Sequence, residues 1–284
     1  MNAAILYALL SLFFAGMNDV VFKRYAAKDR SRGMVIFAIG LVWLSLQWLM
    51  LQSGHEAIQL DSVSLAYGSA AGVALVLSNL LLIEGLTHIE VSLGSTIYRL
   101  NTIGVVVLSV LLLHEPLGLL KAAGIGSGII AILLLAGRPA EGVSDQLHRQ
   151  FVWLVIVASL LRALYGVITK AGLNQGANAD TLLLIAAFCW VVGGAAYARL
   201  REGRFALAGK PAVYALVSGV LVTLIVNFLM QAVSLGEASV VIPIANLSFV
   251  AALLFSVALG WERLTGLKLA AIGCAVLSIG LLAH

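Results

Sequence analysis

The sequence predicts an all-α integral membrane protein whose ten transmembrane helices form two inverted five-helix repeats. Hydrophobic residues make up 62% of the 284 residues and charged residues only 11%. Soluble domains, by contrast, are roughly half apolar and a quarter charged. A helix needs about 20 apolar residues to cross a bilayer, and ten such segments with short turns account for the chain.

An internal repeat is the second observation behind this fold class. Residues 90–121 align without a gap with residues 237–268, at a constant shift of 147. Matched polar and aromatic pairs at this shift are Glu90/Glu237, Ser92/Ser239, Glu115/Glu262, Lys121/Lys268, Lys23/Lys170, Trp43/Trp190 and Tyr67/Tyr214. Polar and Trp matches at one shift indicate a true repeat. Because five helices per copy is an odd number, the second copy is predicted to lie upside down in the membrane.

The apolar segments predict the helices in chain order. In the first half they are residues 3–23, 33–51, 62–86, 91–113 and 118–137. In the second half they are residues 150–172, 180–199, 211–235, 238–260 and 264–283. Pro139, Gly142 and Ser144 supply turn chemistry between the halves. The first repeat is therefore predicted at 1–137, the connection at 138–149 and the second repeat at 150–284.

Lysine and arginine residues are distributed unevenly between the connections. The odd-numbered connections hold thirteen of them and the even-numbered connections hold two. Cytoplasmic loops carry the excess of positive charge. The odd connections are therefore predicted to lie in the cytoplasm, with both termini outside.

Three motifs resemble the drug/metabolite transporter superfamily, in particular its EamA-type ten-helix members: HEPLG at 114–118, GWERLT at 260–265 and the AGMN…FK run ending at Lys23. The resemblance covers essentially the whole chain and implies transport of a small molecule without a cofactor. It also implies both termini inside, opposite to the charge distribution. The first copy departs from the pattern, because Pro116 stands where the second copy has Arg263, and this weakens any ion-pair role for the turn.

Polar residues that occur in both copies are predicted to serve the shared scaffold. Glu115 and Glu262 are expected to accept orphan N–H groups at the start of helices five and ten. By position, Ser92 and Ser239 are expected to cap helices four and nine. Lys23 and Lys170 are expected to complement the carbonyls that end helices one and six.

Two arginines occur in one copy only and lie deep in predicted helices. By about 1.5 Å per residue, Arg99 is roughly 12 Å and Arg162 roughly 18 Å from the helix start. Charges at this depth need an anion or a wet cavity. Either Glu84 and Asp19 neutralise both arginines, or at least one arginine binds a substrate carboxylate or phosphate through its planar fork. Since Glu84 and Arg99 differ in depth by roughly 8 Å, we expect Arg99 to bind the anion.

Neutral polar residues at similar depth extend the predicted substrate site. The predicted substrate-binding set is Arg99, Tyr98, Asn101, Arg162, Tyr165, Asn79, Asn227 and Asn246, with Asp19 and Glu84 as candidates for ion or proton coupling. Pro243 is predicted to kink helix nine near the middle of the membrane and free carbonyls for a ligand.

Glycines at short spacing predict close helix contacts in lipid. They are Gly68 and Gly72 in helix three, and Gly124, Gly126 and Gly128 in helix five. Such positions serve either packing within one chain or the contact surface of a homodimer, and both interpretations stay open here.

These observations predict an inner-membrane, multi-pass transporter of a small polar metabolite, anionic or zwitterionic, that works by alternating access. The alternative is a proton-coupled exporter of cationic or apolar compounds, with Asp19 or Glu84 carrying the proton. A non-transporting membrane scaffold is the alternative from another class, and the abundant buried Asn, Arg and Glu argue against it. The sequence predicts neither an enzyme nor a nucleic-acid binder, and Cys189 and Cys274 fit no metal or disulfide pattern.

Overall fold

A computed structural model describes residues 2–26, 31–53, 61–85, 97–134, 145–203, 210–261 and 263–283. Within these ranges every regular element is helical. The helices are α1 (Ala3–Ala26), α2 (Arg32–Ser53), α3 (Ser62–Gly85), α4 (Ile97–Leu113), α5 (Leu119–Leu134), α6 (Asp145–Asn174), α7 (Ala179–Glu202), α8 (Lys210–Leu235), α9 (Ala238–Ala258) and α10 (Gly266–Leu282). By length and composition, seven of these described helices can cross a membrane, and α4, α5 and α10 are shorter apolar helices.

The start of α6 differs from the sequence prediction. It begins at Asp145 and not at residue 150, so the helix takes in part of the predicted connection at 138–149. The turn-forming Gly142 and Ser144 both precede this start, and residues 145–150 contain no helix breaker. Good helix formers such as Gln and Leu then extend the helix backwards. Residues 135–144 lie outside the described ranges.

The described ends of α1, α3 and α7 and the start of α2 meet at one end of the bundle, which we call the odd end because odd-numbered connections follow these helices in the sequence. Glu202, at the end of α7, caps α2 by accepting the backbone N–H groups of Arg32 at 2.8 Å and Gly33 at 3.2 Å. Glu84, at the end of α3, accepts the Tyr197 hydroxyl of α7 at 2.9 Å. A Cβ on Gly33 would lie 2.5 Å from the backbone nitrogen of Ala198, so glycine permits this close approach of α2 to α7.

The described even-numbered connections, at 114–118, 175–178 and 236–237, lie at the opposite end, the even end. The Glu115 carboxylate, 8% exposed, accepts the backbone N–H groups of Ala238 at 2.8 Å and Ser239 at 2.9 Å. Elsewhere at this end, the Ser64 hydroxyl accepts the backbone N–H of Asn178 at 2.8 Å. The same hydroxyl donates to Asp61, which lowers the pKa of that carboxyl.

These contacts correct the predicted roles of the matched polar residues. Glu115 caps the start of α9 and not of helix five, because its extended connection places the carboxylate against the positive end of α9. Ser239 donates its hydroxyl to Glu115 and so does not act as an acceptor cap. Lys170 donates to the Val233 carbonyl of α8, at 2.8 Å, and not to its own helix. Ser92, Glu262 and the Lys23 side chain lie outside the described residues.

The most extensive helix contacts occur in corresponding pairs, where α1–α5 correspond to α6–α10. The α3–α6 contact corresponds to the α8–α1 contact, and the α3–α7 contact to the α8–α2 contact. The α1–α9 contact corresponds to the α6–α4 contact. α2 packs on α7, and α5 on α10. These extensive contacts are retained when the first five helices are exchanged, in order, for the last five.

The predicted glycine contacts fall mostly within the chain. A Cβ on Gly124 would meet Leu282 at 2.9 Å, and one on Gly128 would meet the Ser278 hydroxyl at 2.9 Å. Gly68 and Gly72 lie equally close to side chains of α7. Only Gly126 of this set has no described neighbour within 4 Å, so the homodimer stays a prediction.

Candidate functional site

The site is built around two interrupted helices, α4 and α9. The interruptions fall at Leu100 and Leu247, which the shift of 147 residues relates. Each leucine N–H bonds to the carbonyl three residues earlier, at 3.2 and 3.1 Å, and each leucine carbonyl accepts the N–H three residues later, at 3.0 and 2.9 Å. These tighter turns replace the usual α-helical bonds and free neighbouring carbonyls for other partners.

Pro243 does not mark the interruption of α9, as the sequence had suggested. The helix continues through it, and the break comes four residues later, at Leu247. Polar contacts hold the two breaks together instead. The Asn246 amide donates to Asn101 Oδ1 at 2.7 Å and to Thr102 Oγ1 at 3.0 Å, so α9 is tied to α4 at the same level.

A cavity of about 290 Å³ lies beside the two interruptions. Residues of eight helices line it, from α1 to α4 and from α6 to α9. Six of the eight predicted substrate-binding residues line the cavity, together with one coupling candidate: Asn79, Tyr98, Arg99, Asn101, Arg162, Asn246 and Asp19. The structure therefore brings most of the predicted site together in one place.

Arg99, which the sequence predicts to meet a substrate anion, is paired in the structure with groups of two other helices, α1 and α9. Its Nη2 donates to Asp19 Oδ2 of α1 at 2.9 Å. Its Nη1 donates to the Asn246 carbonyl at 3.4 Å and to Ser248 Oγ at 3.2 Å, both on α9. The freed carbonyl of the α9 interruption is thus occupied by an arginine from the α4 interruption.

Arg162 has a different environment in the same cavity. Its guanidinium lies 5.3 Å from the ring centre of Tyr165, a cation–π contact. Among the described residues, no hydrogen bond or ion pair reaches it. The charged residues of the described cavity lining are Asp19, Arg99 and Arg162. Their formal sum is +1, because Asp19 neutralises only one of the two arginines.

Three predicted residues lie outside the cavity. Tyr165 is 6% exposed and belongs to the apolar cluster beneath it, where its ring supports Arg162. Asn227 donates to Gln47 Oε1 at 2.9 Å and so faces α2. Glu84 bonds Arg201 and Tyr197 at the odd end, and this removes it from the candidates for coupling at the cavity.

Sequence reasoning missed two aromatic residues of the site. Trp43 and Trp190 both line the cavity, with ring centres 5.9 Å apart and planes at 83°. Their match at the shift of 147 was the available signal, but it was used only to identify the repeat. Ser248 was also missed, although it lies two residues beyond Asn246 and contacts both Arg99 and Asp19.

The apolar helices, with a polar cavity between them, define a multi-pass integral membrane protein. Residues 2–137 match the model of the EamA-like transporter family, which confirms the predicted resemblance and is consistent with the drug/metabolite transporter superfamily. A protein crystal structure matches the fold with a TM-score of 0.85 at 13% identity, over 98% of this chain and 95% of that chain. No curated protein matches the sequence.

Proposed function

We propose that this protein carries a small anionic or zwitterionic metabolite across the cell (inner) membrane by alternating access. In this proposal two inverted five-helix halves cross the membrane ten times, and the substrate occupies the cavity between them. The family match to a membrane transporter supports the general class. The substrate class rests on the cavity.

Two features support the inverted arrangement. α1 begins at the even end, where Ala4 packs on Gly236, whereas α6 begins at the odd end, where Val155 packs on Gly85. The two halves therefore start at opposite ends. The most extensive helix contacts are also retained when the halves are exchanged, as in a two-fold repeat. The three short helices fit a spanning role if the bilayer thins locally around them.

The Arg162 guanidinium carries the substrate class, because it has no hydrogen-bond or ion-pair partner in the part of the chain that the structure describes. A charge at membrane depth is costly unless it meets a counter-charge or lines a wet cavity, and such residues usually mark a substrate pathway. Interrupted helices beside it are typical of the midplane sites of transporters. Since the lining carries a formal charge of +1, a substrate with a negative group completes the charge balance.

Polar contacts between helices at the even end support alternating access. Glu115 holds the start of α9, and Lys121 forms an ion pair with Glu237. The Lys170 bond to Val233 joins α6 to α8 at the same end. These contacts are hydrogen bonds and an ion pair between different helices, and such contacts can separate and re-form. The excess of Lys and Arg in the odd connections supports a cytoplasmic odd end.

The alternative function, a proton-coupled exporter of cations, now depends on Asp19. This carboxylate lines the cavity and is 35% exposed, so it is positioned to bind a proton or a cation whenever Arg99 releases it. Glu84 lies outside the cavity and no longer supports this alternative.

Counterflow in proteoliposomes tests the proposal. Purified protein is reconstituted with a trapped mixture of small carboxylates, amino acids and organic amines, and uptake of each labelled compound is measured. We expect saturable uptake of carboxylate-bearing compounds, because the cavity carries a net positive charge. Uptake restricted to amines, with a dependence on the proton gradient, would overturn the anionic proposal and favour the exporter.

A further inference from the structure

The substrate-free cavity holds one positive charge that its described lining does not cancel. Arg99 and Asp19 form an ion pair at 2.9 Å, which is neutral as a unit. The remaining charged residue of the described lining is Arg162, whose guanidinium lies 5.3 Å from the centre of the neutral Tyr165 ring. The empty cavity therefore has a formal charge of +1 in the part of its lining that the structure describes.

Arg162 lies at the middle of the segment of α6 that can cross the membrane. This segment, Arg149–Asn174, has 26 residues, of which thirteen precede Arg162 and twelve follow it. At about 1.5 Å per residue, the residue is roughly 18–20 Å from either end of the segment. A charge at this depth lies within the electric field of the membrane, so a transmembrane potential acts on it.

Alternating access changes the potential that this charge experiences. A water-filled cavity has nearly the potential of the solution to which it opens, and the voltage then falls across the closed side, where the dielectric constant is low. When the opening changes sides, the Arg162 charge passes from the potential of one solution to that of the other. At about 100 mV, one full elementary charge shifts the equilibrium between the two states about fiftyfold.

We infer that the membrane potential drives this transporter through the charge of Arg162, and that the net movement of a monoanionic substrate is out of the cell. The empty cavity, with its charge of +1, is drawn to face the negative cytoplasm. One substrate carboxylate cancels that charge, so the potential does not act on the reorientation of the loaded protein. Each cycle then carries one negative charge outwards without a coupling ion. The inference rests on the proposed transport function and adds its driving force and direction.

The net charge of the substrate decides whether the potential drives transport. A zwitterion, such as an amino acid, leaves the cavity at +1 in the loaded protein as well as in the empty protein. The two reorientation steps then move the same charge in opposite directions, and the complete cycle is electroneutral. Only a substrate with a net negative charge is therefore exported at the expense of the membrane potential.

Thiol labelling under an imposed potential tests the inference without knowledge of the substrate. Ala15, which lines the cavity on α1, is replaced by cysteine (Ala15→Cys) in a protein that lacks Cys189 and Cys274. Right-side-out and inside-out vesicles receive valinomycin, a potassium gradient and a membrane-impermeant thiol reagent. With a gradient of about thirtyfold, the full charge predicts an equal shift. We expect the ratio of cytoplasmic to external labelling to rise at least about tenfold when the cytoplasmic side is made negative.

Three variants in the Ala15→Cys protein test whether Arg162 is the responding charge. Arg162→Gln should abolish the dependence on potential while labelling from both sides continues. Arg162→Lys keeps the charge and loses the planar fork, so it should retain the dependence. A merely structural role of Arg162 would make these two variants alike. Arg199→Gln is the matched control and should retain the dependence, because Arg199 is exposed near the end of α7 and does not line the described cavity.

Compounds added to both sides of the vesicles test the charge of the loaded protein. The small carboxylates of the counterflow mixture, at saturating concentration, should remove the dependence on potential, because the loaded cavity is neutral. The amino acids of the same mixture should leave the dependence in place, because a zwitterion does not cancel the charge. Full dependence in the presence of the carboxylates, or its loss with the amino acids alone, would overturn the inference.

The outcomes distinguish this inference from the transport proposal. Labelling from both sides that does not respond to the potential, or an equal response in Arg162→Gln, would overturn the inference and leave alternating access standing. Labelling from one side at every potential would overturn both. If the Arg162 variants fail to fold, the sign of the response in the Ala15→Cys protein still decides. Faster labelling from the positive side would contradict a positively charged empty cavity.

Discussion

Replacing Arg162 by glutamine is expected to abolish binding of the carboxylate substrate without destabilising the protein. The loss should be at least about thirtyfold, since removing one member of a desolvated charge pair costs roughly 2 kcal/mol or more. In the substrate-free protein, Arg162 has no ionic partner among the described residues. Its removal therefore leaves no uncompensated charge behind, and the melting temperature should stay the same or rise.

Two further variants test whether the effect of Arg162→Gln is specific to this guanidinium. Arg162→Lys keeps the charge but loses the planar fork, so we expect partial recovery of binding. Arg201→Gln removes a guanidinium that lies outside the cavity, at the odd end beside Glu84, and should leave binding unchanged. Binding and thermal stability are measured on the same detergent preparations. Unchanged carboxylate affinity in Arg162→Gln would contradict the assignment.

Arg99→Gln and Asp19→Asn are expected to act mainly on stability, the reverse of Arg162→Gln. Their ion pair joins α1, α4 and α9 beside the cavity. Removing one partner leaves the other charge unmet, which costs about 1–3 kcal/mol. The side chains are 25% and 35% exposed, so the cost should fall below the larger value typical of a fully buried pair.

The double variant Arg99→Gln/Asp19→Asn tests the pairing directly. If the two residues act through each other, the double variant should be more stable than the sum of the single losses predicts. Thermal unfolding in detergent gives the three values. Strictly additive losses would show that the pair does not couple. Loss of transport and of its pH dependence in Asp19→Asn, at normal stability, would favour the proton-coupled exporter.

The internal repeat made much of the site predictable. A constant shift places Leu100 opposite Leu247, and the structure interrupts both helices at these residues. Depth along the helices selected Arg99 and Arg162 as candidates, and both line the cavity. The repeat shift and the depth of a residue depend only on its position along the chain, so both can be read from the sequence alone.

Contacts between helices could not be predicted in the same way. The pairing of Arg99 with Asp19 depends on α1 lying beside α4 and α9, and no helical period encodes that proximity. Glu115 was assigned to the helix that follows it, because capping within a short segment is the local expectation. Its actual partner, the start of α9, lies 123 residues away in sequence. Tyr165 and Arg162 are one turn apart, yet only Arg162 reaches the cavity.

Thiol labelling of a cavity residue from each side of the membrane tests the central claim, alternating access, most directly. Ala15 lines the cavity on α1, and it is replaced by cysteine (Ala15→Cys) in a protein that lacks Cys189 and Cys274. Right-side-out and inside-out vesicles are treated with a membrane-impermeant thiol reagent. Alternating access predicts that the introduced thiol is labelled from both sides, and more slowly from either side when the carboxylate substrate is present. Labelling from one side only, under every substrate condition, would contradict the account.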